Sequence, residues 1–283
     1  MVTILIIAHE EEEKLSRNLP FLLSQQCTDY EVVVVDMNSE DNTIEILNAL
    51  EAEHRHLRHI SLPKSAKDIS RERLALHLGV RTANTDRVII IGAGMIVPNN
   101  EWIADIEKRW RPDSDIILIP VIREKTKGFL NSLYTRHEAW RKKLHLQQAH
   151  KHQLYSVDSN VIGLNKNKFL THISPFEHLA LKTGTLDIFT AITATSQNTT
   201  LIYEKKLFPF ESPIENLYNW KQMRLFNVET RKHLPNQFKR HLTYLTHCIC
   251  TIHFGSILYT LIDLHDYIRW RFTRKKTFMK KHY

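Results

Sequence analysis

The chain has 283 residues, of which 42% are apolar and 25% charged, and this composition excludes a disordered protein and supplies a core for one large domain or two small ones. Its formal net charge of +8 is concentrated at the carboxyl end, because residues 263–283 carry seven Arg and Lys against two Asp, a net of +5, which leaves +3 for the other 262 residues. The body is therefore nearly neutral, the tail is basic, and three cysteines without framework spacing favour a reducing compartment.

Predicted strands and helices alternate through the first 91 residues. Continuous apolar runs rich in β-branched residues, typical of strands covered on both faces, predict strands at Val2–Ile7, Glu31–Asp36 and Arg87–Ile91, and Arg58–Leu62 is expected to form a short strand between them. Leucines at helical spacing predict a helix at Glu11–Ser24, and further helices are expected at Thr43–Glu53 and Ile69–Arg81. No basic stretch precedes the first apolar run, so we expect a strand there and not a signal peptide. The alternation implies an α/β fold with a mostly parallel sheet, flanked by helices and joined by right-handed crossovers.

The rest of the chain continues with less regular elements. The patterns predict helices at Trp102–Arg111 and Phe129–Gln153, strands at Asp115–Ile122, Val157–Leu164 and Thr200–Lys205, and a loop-helix segment at Pro175–Thr195. We expect one catalytic-type domain over residues 1–212 and a helical, basic tail over residues 213–283.

Ligands of such sheets bind beyond the carboxyl ends of the strands, so the residues after each strand are informative. Here they are Ala8-His9-Glu10, Asp36-Met37 and Gly92-Ala93-Gly94. The last group imitates the start of a G-x-G-x-x-G dinucleotide fingerprint. However, the third glycine is replaced by Val97, and Pro98 prevents the helix that would hold a pyrophosphate. A glycine turn is the alternative interpretation.

The order of these motifs resembles the family 2 glycosyltransferases of the GT-A fold over residues 2 to about 212. The motifs are Q-x-C-x-D-Y-E-V-V-V-V-D, S-x-D-x-T and R-x-x-L-A-L. In the stretch where the family reads D-F-E-I-I-V-V-D-D-G-S-x-D-x-T, the matching positions are Glu31, Asp36, Ser39, Asp41 and Thr43. Farther along, Trp220 to Arg224 resembles a W-x-Q-x-R element of membrane-attached bacterial members.

The resemblance implies an inverting enzyme that passes a sugar from a nucleotide-sugar to a glycan or lipid-linked acceptor. It implies that Asp36 and His9 hold the nucleoside, that Arg73 helps to bind the diphosphate, and that Asp187 removes the acceptor proton as general base. The remaining candidate positions are Glu11, Gly92 and Gly94 on the donor side, and Gln222 and Arg224 on the acceptor or phosphate side.

The sequence departs from the family at the ends of its strands. The family's chemistry uses an Asp-x-Asp after the fourth strand, where Mn²⁺ or Mg²⁺ bridges the donor diphosphate, and this chain has Gly92-Ala93-Gly94 there. Met37 replaces the second of two aspartates after the second strand, and only Asp187 remains of an acidic cluster in the acceptor segment. We therefore predict no metal site. Two hypotheses follow: a metal-independent or impaired transferase, and an inactive relative that binds a glycan, a nucleotide or a partner enzyme.

Several candidates have simpler structural interpretations that the sequence leaves open. Asp36 could cap the loop after its strand, and His9 could be satisfied by a neighbouring loop. Asp187 could cap a helix start, and Arg73 could cover the side of its helix. His54, His56 and His59 are spaced closely enough for a metal site, but they lie in a polar stretch typical of a solvated loop.

The carboxyl-terminal tail contains a segment that could contact a membrane. Leu242–Ile262 is 21 residues long without Asp, Glu, Lys or Arg, and basic residues flank it on both sides. An interfacial helix held to anionic lipid at the cytoplasmic face of the cell membrane accounts for both features. The alternative is a helix packed on the domain with a solvated basic end. A third hypothesis for the function is a membrane-surface scaffold in which the domain only docks other proteins. No motif supports binding of nucleic acid.

Overall fold

The computed structural model describes residues 1–27, 29–62, 71–123, 161–174, 185–195 and 197–211, and six single helical positions, Thr246, Ile257, Leu261, Leu264, His265 and Ile268. By its backbone contacts the chain divides into two compact units, Met1–Glu124 with Leu144–Ser212, and Lys125–Lys143 with Pro213–Tyr283. Almost all described residues belong to the first unit, to which the following description applies. The predicted helix at 129–153 and most of the predicted tail lie outside the described residues.

A seven-stranded sheet forms the centre of the first unit. Its strands are β1 (Val2–Ala8), β2 (Tyr30–Asp36), β3 (Leu57–Ser61), β4 (Arg87–Gly92), β6 (Ile116–Ile119), β8 (Val161–Asn165) and β9 (Thr199–Leu201). They lie in the order β3-β2-β1-β4-β8-β6-β9, and all neighbours are parallel except β8, which is antiparallel to both β4 and β6. The mostly parallel sheet predicted from the sequence is confirmed.

Helices cover this sheet. They are α1 (Glu12–Leu23), α2 (Thr43–Glu53), α3 (Arg71–Thr82), α4 (Trp102–Arg109), α5 (Lys166–His172) and α6 (Thr185–Thr193), with a 3-10 turn at Lys205–Leu207. One buried cluster contains the leucines of α1, and a second contains Leu76 and Val80 of α3. The sheet is therefore buried on both faces, as the continuous apolar strands predict.

Gly163 in β8 shows how closely Trp110, the residue that follows α4, packs on the sheet. A Cβ at this position would lie 2.3 Å from Ile117 Cγ2 and 2.6 Å from Trp110 Cζ3. Both neighbours are buried, so only a residue without a side chain fits there.

A second, three-stranded sheet was not predicted. It consists of β5 (Met95–Ile96), β7 (Ile122–Arg123) and β10 (Phe210–Glu211), with β10 between the other two. The predicted strand at Asp115–Ile122 is confirmed over Ile116–Ile119, but it ends before Pro120, which has no amide hydrogen to donate, and Ile122–Arg123 belongs to a different sheet. The predicted strand at Thr200–Lys205 is shorter and ends at Leu201, before the 3-10 turn.

Candidate functional site

The three strand ends singled out by the sequence meet at one edge of the sheet. Ala8 is in register with Asp36 on one side, and Ile7 is in register with Gly92 on the other. β2 and β3 lie on one side of β1, and β4 lies on its other side. The strand order therefore reverses between β1 and β4, which makes this position the topological switch point of the sheet. Open α/β sheets bind their ligands in the crevice at such a point.

Asp36 ends β2 with a fully buried side chain. Its carboxylate accepts hydrogen bonds from the amides of Asn38, at 3.0 Å, and Ser39, at 3.2 Å, and from the Ser39 hydroxyl at 2.5 Å. These bonds hold Asn38 in a left-handed conformation with φ of 61°. Asp36 thus fixes the loop that follows its strand, as the simpler interpretation of this residue predicts.

The S-x-D-x-T motif joins this loop to the beginning of α1. Ser39 Oγ accepts from the amide of Glu10 at 2.9 Å, Thr43 Oγ1 accepts from the amide of Glu11 at 3.2 Å, and Asp41 Oδ2 accepts from the amide of Glu12 at 3.2 Å. The amides at the start of a helix have no partner within that helix, and the residue that precedes α1 provides no side-chain cap. The motif supplies the missing acceptors from a different element.

Ionisation of Asp41 supports this connection. Burial of the carboxyl group disfavours its charge, but hydrogen bonds from Thr43 and from the amide of Glu12 outweigh burial and hold the pKa of Asp41 below its usual value. The side chain is therefore charged at neutral pH while it caps α1.

Gly92-Ala93-Gly94 forms the turn between β4 and β5. Ala93 is buried, and its carbonyl accepts a hydrogen bond from Asn18 Nδ2 of α1 at 3.0 Å. Neither glycine has a left-handed backbone. A Cβ at Gly92 would meet only Met95, at 3.7 Å, and one at Gly94 would lie 3.2 Å from Lys14 Cδ. Gly92 therefore has room for a side chain, whereas a side chain at Gly94 requires the flexible Lys14 stem to shift slightly.

Lys14 lies beside this turn, where the sequence did not indicate a functional residue. Its Nζ is 2.6 Å from Glu11 Oε2, and its side chain is 43% exposed. Lys14 and Asn18 are four residues apart on α1, so both reach the same turn from one helix face. This i, i+4 spacing is the signal in the sequence that could have identified Lys14.

The described residues at this edge of the sheet do not fit a divalent metal. Two positions of the turn are glycines, Asp36 is engaged by its own loop, and Glu11 pairs with Lys14. Among the residues that the structure describes, no group of three or more His, Cys, Asp or Glu is placed to hold a metal ion. Hard cations such as Mg²⁺ and Mn²⁺ need several oxygen ligands, which these side chains do not offer together.

Other candidate donor residues lie in different environments. His9 is exposed immediately after β1, at the switch point. Arg73 is 2% exposed, and its Nε donates to Thr185 Oγ1 at 3.3 Å, so its guanidinium contacts the first residue of α6. Arg71 donates to the carbonyl of Met37 and thereby joins α3 to the loop after β2.

Asp187 is the third residue of α6, two positions after the residue that Arg73 contacts. Asp187, the candidate base, therefore lies in the same turn of α6 as Thr185, which Arg73 contacts. Gln222 and Arg224 lie outside the described residues, so their assignment stays a prediction.

Glu31 matches the family pattern but lies at the opposite edge of the sheet. Its buried carboxylate accepts from Thr3 Oγ1 and the Asn84 amide, both at 2.6 Å, and from Asn84 Nδ2 at 2.7 Å. Arg58 Nη2 lies 3.4 Å from the same group. Glu31 therefore joins β1, β2 and the segment before β4, and it takes no part in the switch-point crevice.

The three histidines between α2 and β3 do not converge on one point. His59 pairs with Glu51, whereas the His56 ring packs edge-on against Tyr30 and contacts the carbonyl of Leu23 at 3.2 Å. Burial lowers the pKa of His56 and keeps it neutral. Since β3 starts here, these side chains lie near the edge opposite the crevice.

In the described part of the chain, no helix is long and apolar enough to cross a membrane. Most of Leu242–Ile262 lies outside the described residues, so the membrane prediction for this segment is not tested by that result.

Comparison with known proteins gives one family match and many structural neighbours. The family model described as "Glycosyl transferase family 2" matches residues 3–173, which is more than half of the chain. No curated protein matches the sequence significantly.

Three solved structures illustrate the shared fold. The mannosyltransferase PcManGT from Pyrobaculum calidifontis, in complex with GDP-Man and Mn²⁺, has a TM-score of 0.61 at 16% identity over 93% of this chain and 69% of that one. TarS residues 1–349 from S. aureus, in complex with UDP, has a TM-score of 0.56 at 16% identity over 86% and 72%. Glucosyl-3-phosphoglycerate synthase from Mycobacterium tuberculosis, with Mn²⁺ and UDP-Glc, has a TM-score of 0.53 at 14% identity over 84% and 80%. These neighbours confirm the predicted GT-A fold.

Proposed function

Because this chain belongs to glycosyltransferase family 2, we propose that it transfers a sugar from a nucleotide-sugar to a glycan or lipid-linked acceptor without a divalent metal. The observation that carries the proposal is the convergence of β1, β2 and β4 on one switch-point crevice, together with the absence of carboxylates at Gly92 and Gly94. The structural neighbours that contain UDP, GDP-Man and UDP-Glc support a nucleotide-sugar as the donor class.

In the proposed reaction the acceptor hydroxyl attacks the anomeric carbon directly. The bond from this carbon to the acceptor oxygen forms while the bond to the phosphate oxygen breaks, and the electron pair leaves with the nucleoside diphosphate. Asp187 takes the acceptor proton, and the configuration at the anomeric carbon inverts. Exposed His9 contacts the nucleoside, and Asp36 acts by shaping the loop that borders it.

The test is release of nucleoside diphosphate by the full chain. UDP-Glc, UDP-GlcNAc and GDP-Man are each incubated with the protein in EDTA and with Mn²⁺, with and without glycan or polyprenyl-phosphate acceptors. We expect release in EDTA that increases with an acceptor. Dependence on Mn²⁺ would contradict the metal-independent part of the proposal.

The Asp187→Asn variant tests the proposed base. It should lower the rate of release about 100- to 10,000-fold while leaving binding of the nucleotide unchanged, because an amide cannot accept the proton. An unchanged rate would remove Asp187 from the reaction.

A second candidate function is favoured by the same lack of carboxylates. An inactive relative would bind a nucleotide or a glycan, or dock a partner enzyme, without turnover. Calorimetric titration separates the two: binding of a nucleotide-sugar without release of nucleoside diphosphate supports the inactive relative, and no binding under any condition supports a scaffold. We further propose that the basic tail attaches the protein to the cytoplasmic face of the cell membrane.

A further inference from the structure

Lys14 is a cation at the crevice that neither the family match nor the sequence motifs assign to any function. Its aliphatic stem lies against the backbone of Gly94, where a Cβ would be only 3.2 Å from Lys14 Cδ. Its ammonium is 2.6 Å from the Glu11 carboxylate, just after β1. The side chain therefore contacts Glu11 at the start of its own helix and lies beside the turn that follows β4.

The proposed reaction requires a positive charge beside the diphosphate of the donor. A departing nucleoside diphosphate develops negative charge on its phosphate oxygens, and a site that lowers the barrier must neutralise it. The turn after β4 offers no carboxylate that could recruit a divalent cation. An ammonium group needs no such ligands, because the charge belongs to the side chain itself.

The ion pair with Glu11 leaves Lys14 available for a ligand. Both side chains are partly exposed, 43% for Lys14 and 25% for Glu11, and pairs exposed to water in this way are weak. A diphosphate carries more charge than one carboxylate, so it competes favourably for the ammonium. Gly94 permits this arrangement, because without a side chain it lets the lysine stem lie directly on the turn.

We propose that the Lys14 ammonium binds the diphosphate of the donor and takes the place of a divalent cation, an inference that rests on the proposed function. The ammonium neutralises the phosphate oxygen that gains the electron pair as the glycosidic bond to the donor breaks, and it transfers no proton.

Titration calorimetry of the full chain with UDP and with GDP in EDTA tests this role. Lys14→Gln should bind the nucleotide about 10- to 100-fold more weakly than the wild type, because a charge-assisted contact to phosphate is lost. Lys14→Arg should retain most of the affinity. The control is Lys168→Gln: Lys168 is also the third residue of its helix and is exposed, but it lies near the opposite edge of the sheet.

The outcomes separate the inference from the proposed function. If Lys14→Gln binds as tightly as the wild type in EDTA, the inference is overturned while the proposed function stands. If the wild type binds UDP or GDP only with Mn²⁺, the inference and the metal-independent part of the proposed function are overturned together, while sugar transfer itself stands. If neither nucleotide binds with or without metal, both are overturned. A loss of affinity in Lys14→Gln that Lys14→Arg restores, at unchanged melting temperature and with Lys168→Gln unaffected, supports the inference.

Discussion

At the scale of single residues, identity with a family motif does not by itself indicate contact with a ligand. Glu31 and Asp36 lie on the same strand and both match the motif, yet Glu31 connects the sheet at its far edge while Asp36 fixes a loop at the crevice. Both carboxylates are buried and both are satisfied by neighbouring donors. Their contribution to stability can therefore be tested separately from any activity.

Glu31→Ala should lower the free energy of unfolding by about 2–4 kcal/mol, because it leaves the donors of Thr3 and Asn84 without their buried acceptor. Urea denaturation followed by circular dichroism measures the change. Exposed Glu53→Ala on α2 serves as the control and should stay within about 0.5 kcal/mol of the wild type. A loss in Glu31→Ala as small as that of the control would contradict the structural role.

The double variant Gly92→Asp/Gly94→Asp tests whether the missing carboxylates determine the use of metal. Neither backbone position is left-handed, and only the flexible end of Lys14 must move, so we expect the variant to fold. It should bind UDP at least about 10-fold more tightly with Mn²⁺ than in EDTA, since two carboxylates and a diphosphate supply the oxygens that the ion needs. Gly92→Asn/Gly94→Asn matches the size without the charge. Equal responses of both variants to Mn²⁺ would refute the prediction.

At the scale of elements, the crevice is assembled by connections between consecutive β-α units. Ser39, Asp41 and Thr43 follow β2, and each accepts a hydrogen bond from an amide at or just before the start of α1, the helix that follows β1. The first helix then holds the turn after β4 through Asn18 and covers it with Lys14. A substitution in the S-x-D-x-T motif should therefore alter the position of α1 and, through α1, the position of the turn after β4.

Asp41→Ala should lower the free energy of unfolding by about 1–2 kcal/mol at neutral pH, the usual cost of losing a helix cap. Native-state hydrogen exchange should show faster exchange at the amide of Glu12. Because the pKa of Asp41 is lowered by folding, its contribution is fully present above the unfolded pKa of about 4 and is lost as the pH falls through the folded pKa. The difference between variant and wild type should therefore shrink below about pH 4. Asp113→Ala, at a side chain that is 72% exposed, should show neither effect.

At the scale of the whole molecule, the sequence predicts the elements that are encoded locally and misses those that depend on distant partners. The buried runs of β1, β2 and β4 are long enough to be recognised by composition alone, and the predicted positions agree with the structure to within a residue. The small sheet is different, because each of its strands has only two residues, too few for a recognisable pattern. These strands form only because residues near 95, 122 and 210 pair in the folded chain. The capping of α1 by a distant motif and the position of Lys14 are likewise tertiary features, for which the sequence gives only a spacing.

The basic tail gives the chain a concentrated positive charge, which its nearly neutral body lacks and which attracts anionic surfaces. Seven Arg and Lys lie within residues 263–283, and the preceding uncharged segment can supply apolar contact with a bilayer. Each basic side chain near an anionic surface contributes about 1 kcal/mol, so binding should be strong at low salt and should weaken as salt screens the charges. The full chain should therefore cosediment with phosphatidylserine-containing vesicles and not with phosphatidylcholine vesicles.

Replacement of the tail's Arg and Lys by Gln in the full chain tests the source of this attraction. The positions are Arg269, Arg271, Arg274, Lys275, Lys276, Lys280 and Lys281. The loss of so many charges should weaken vesicle binding at least about 100-fold, whereas Lys205→Gln/Lys206→Gln, which neutralises two exposed lysines of the body, should change it little. Retention of the wild-type chain in the supernatant at low salt would show that the tail does not bind the membrane. Equal binding by the neutralised tail would instead assign the attachment to the apolar segment at 242–262, because only the charges were removed.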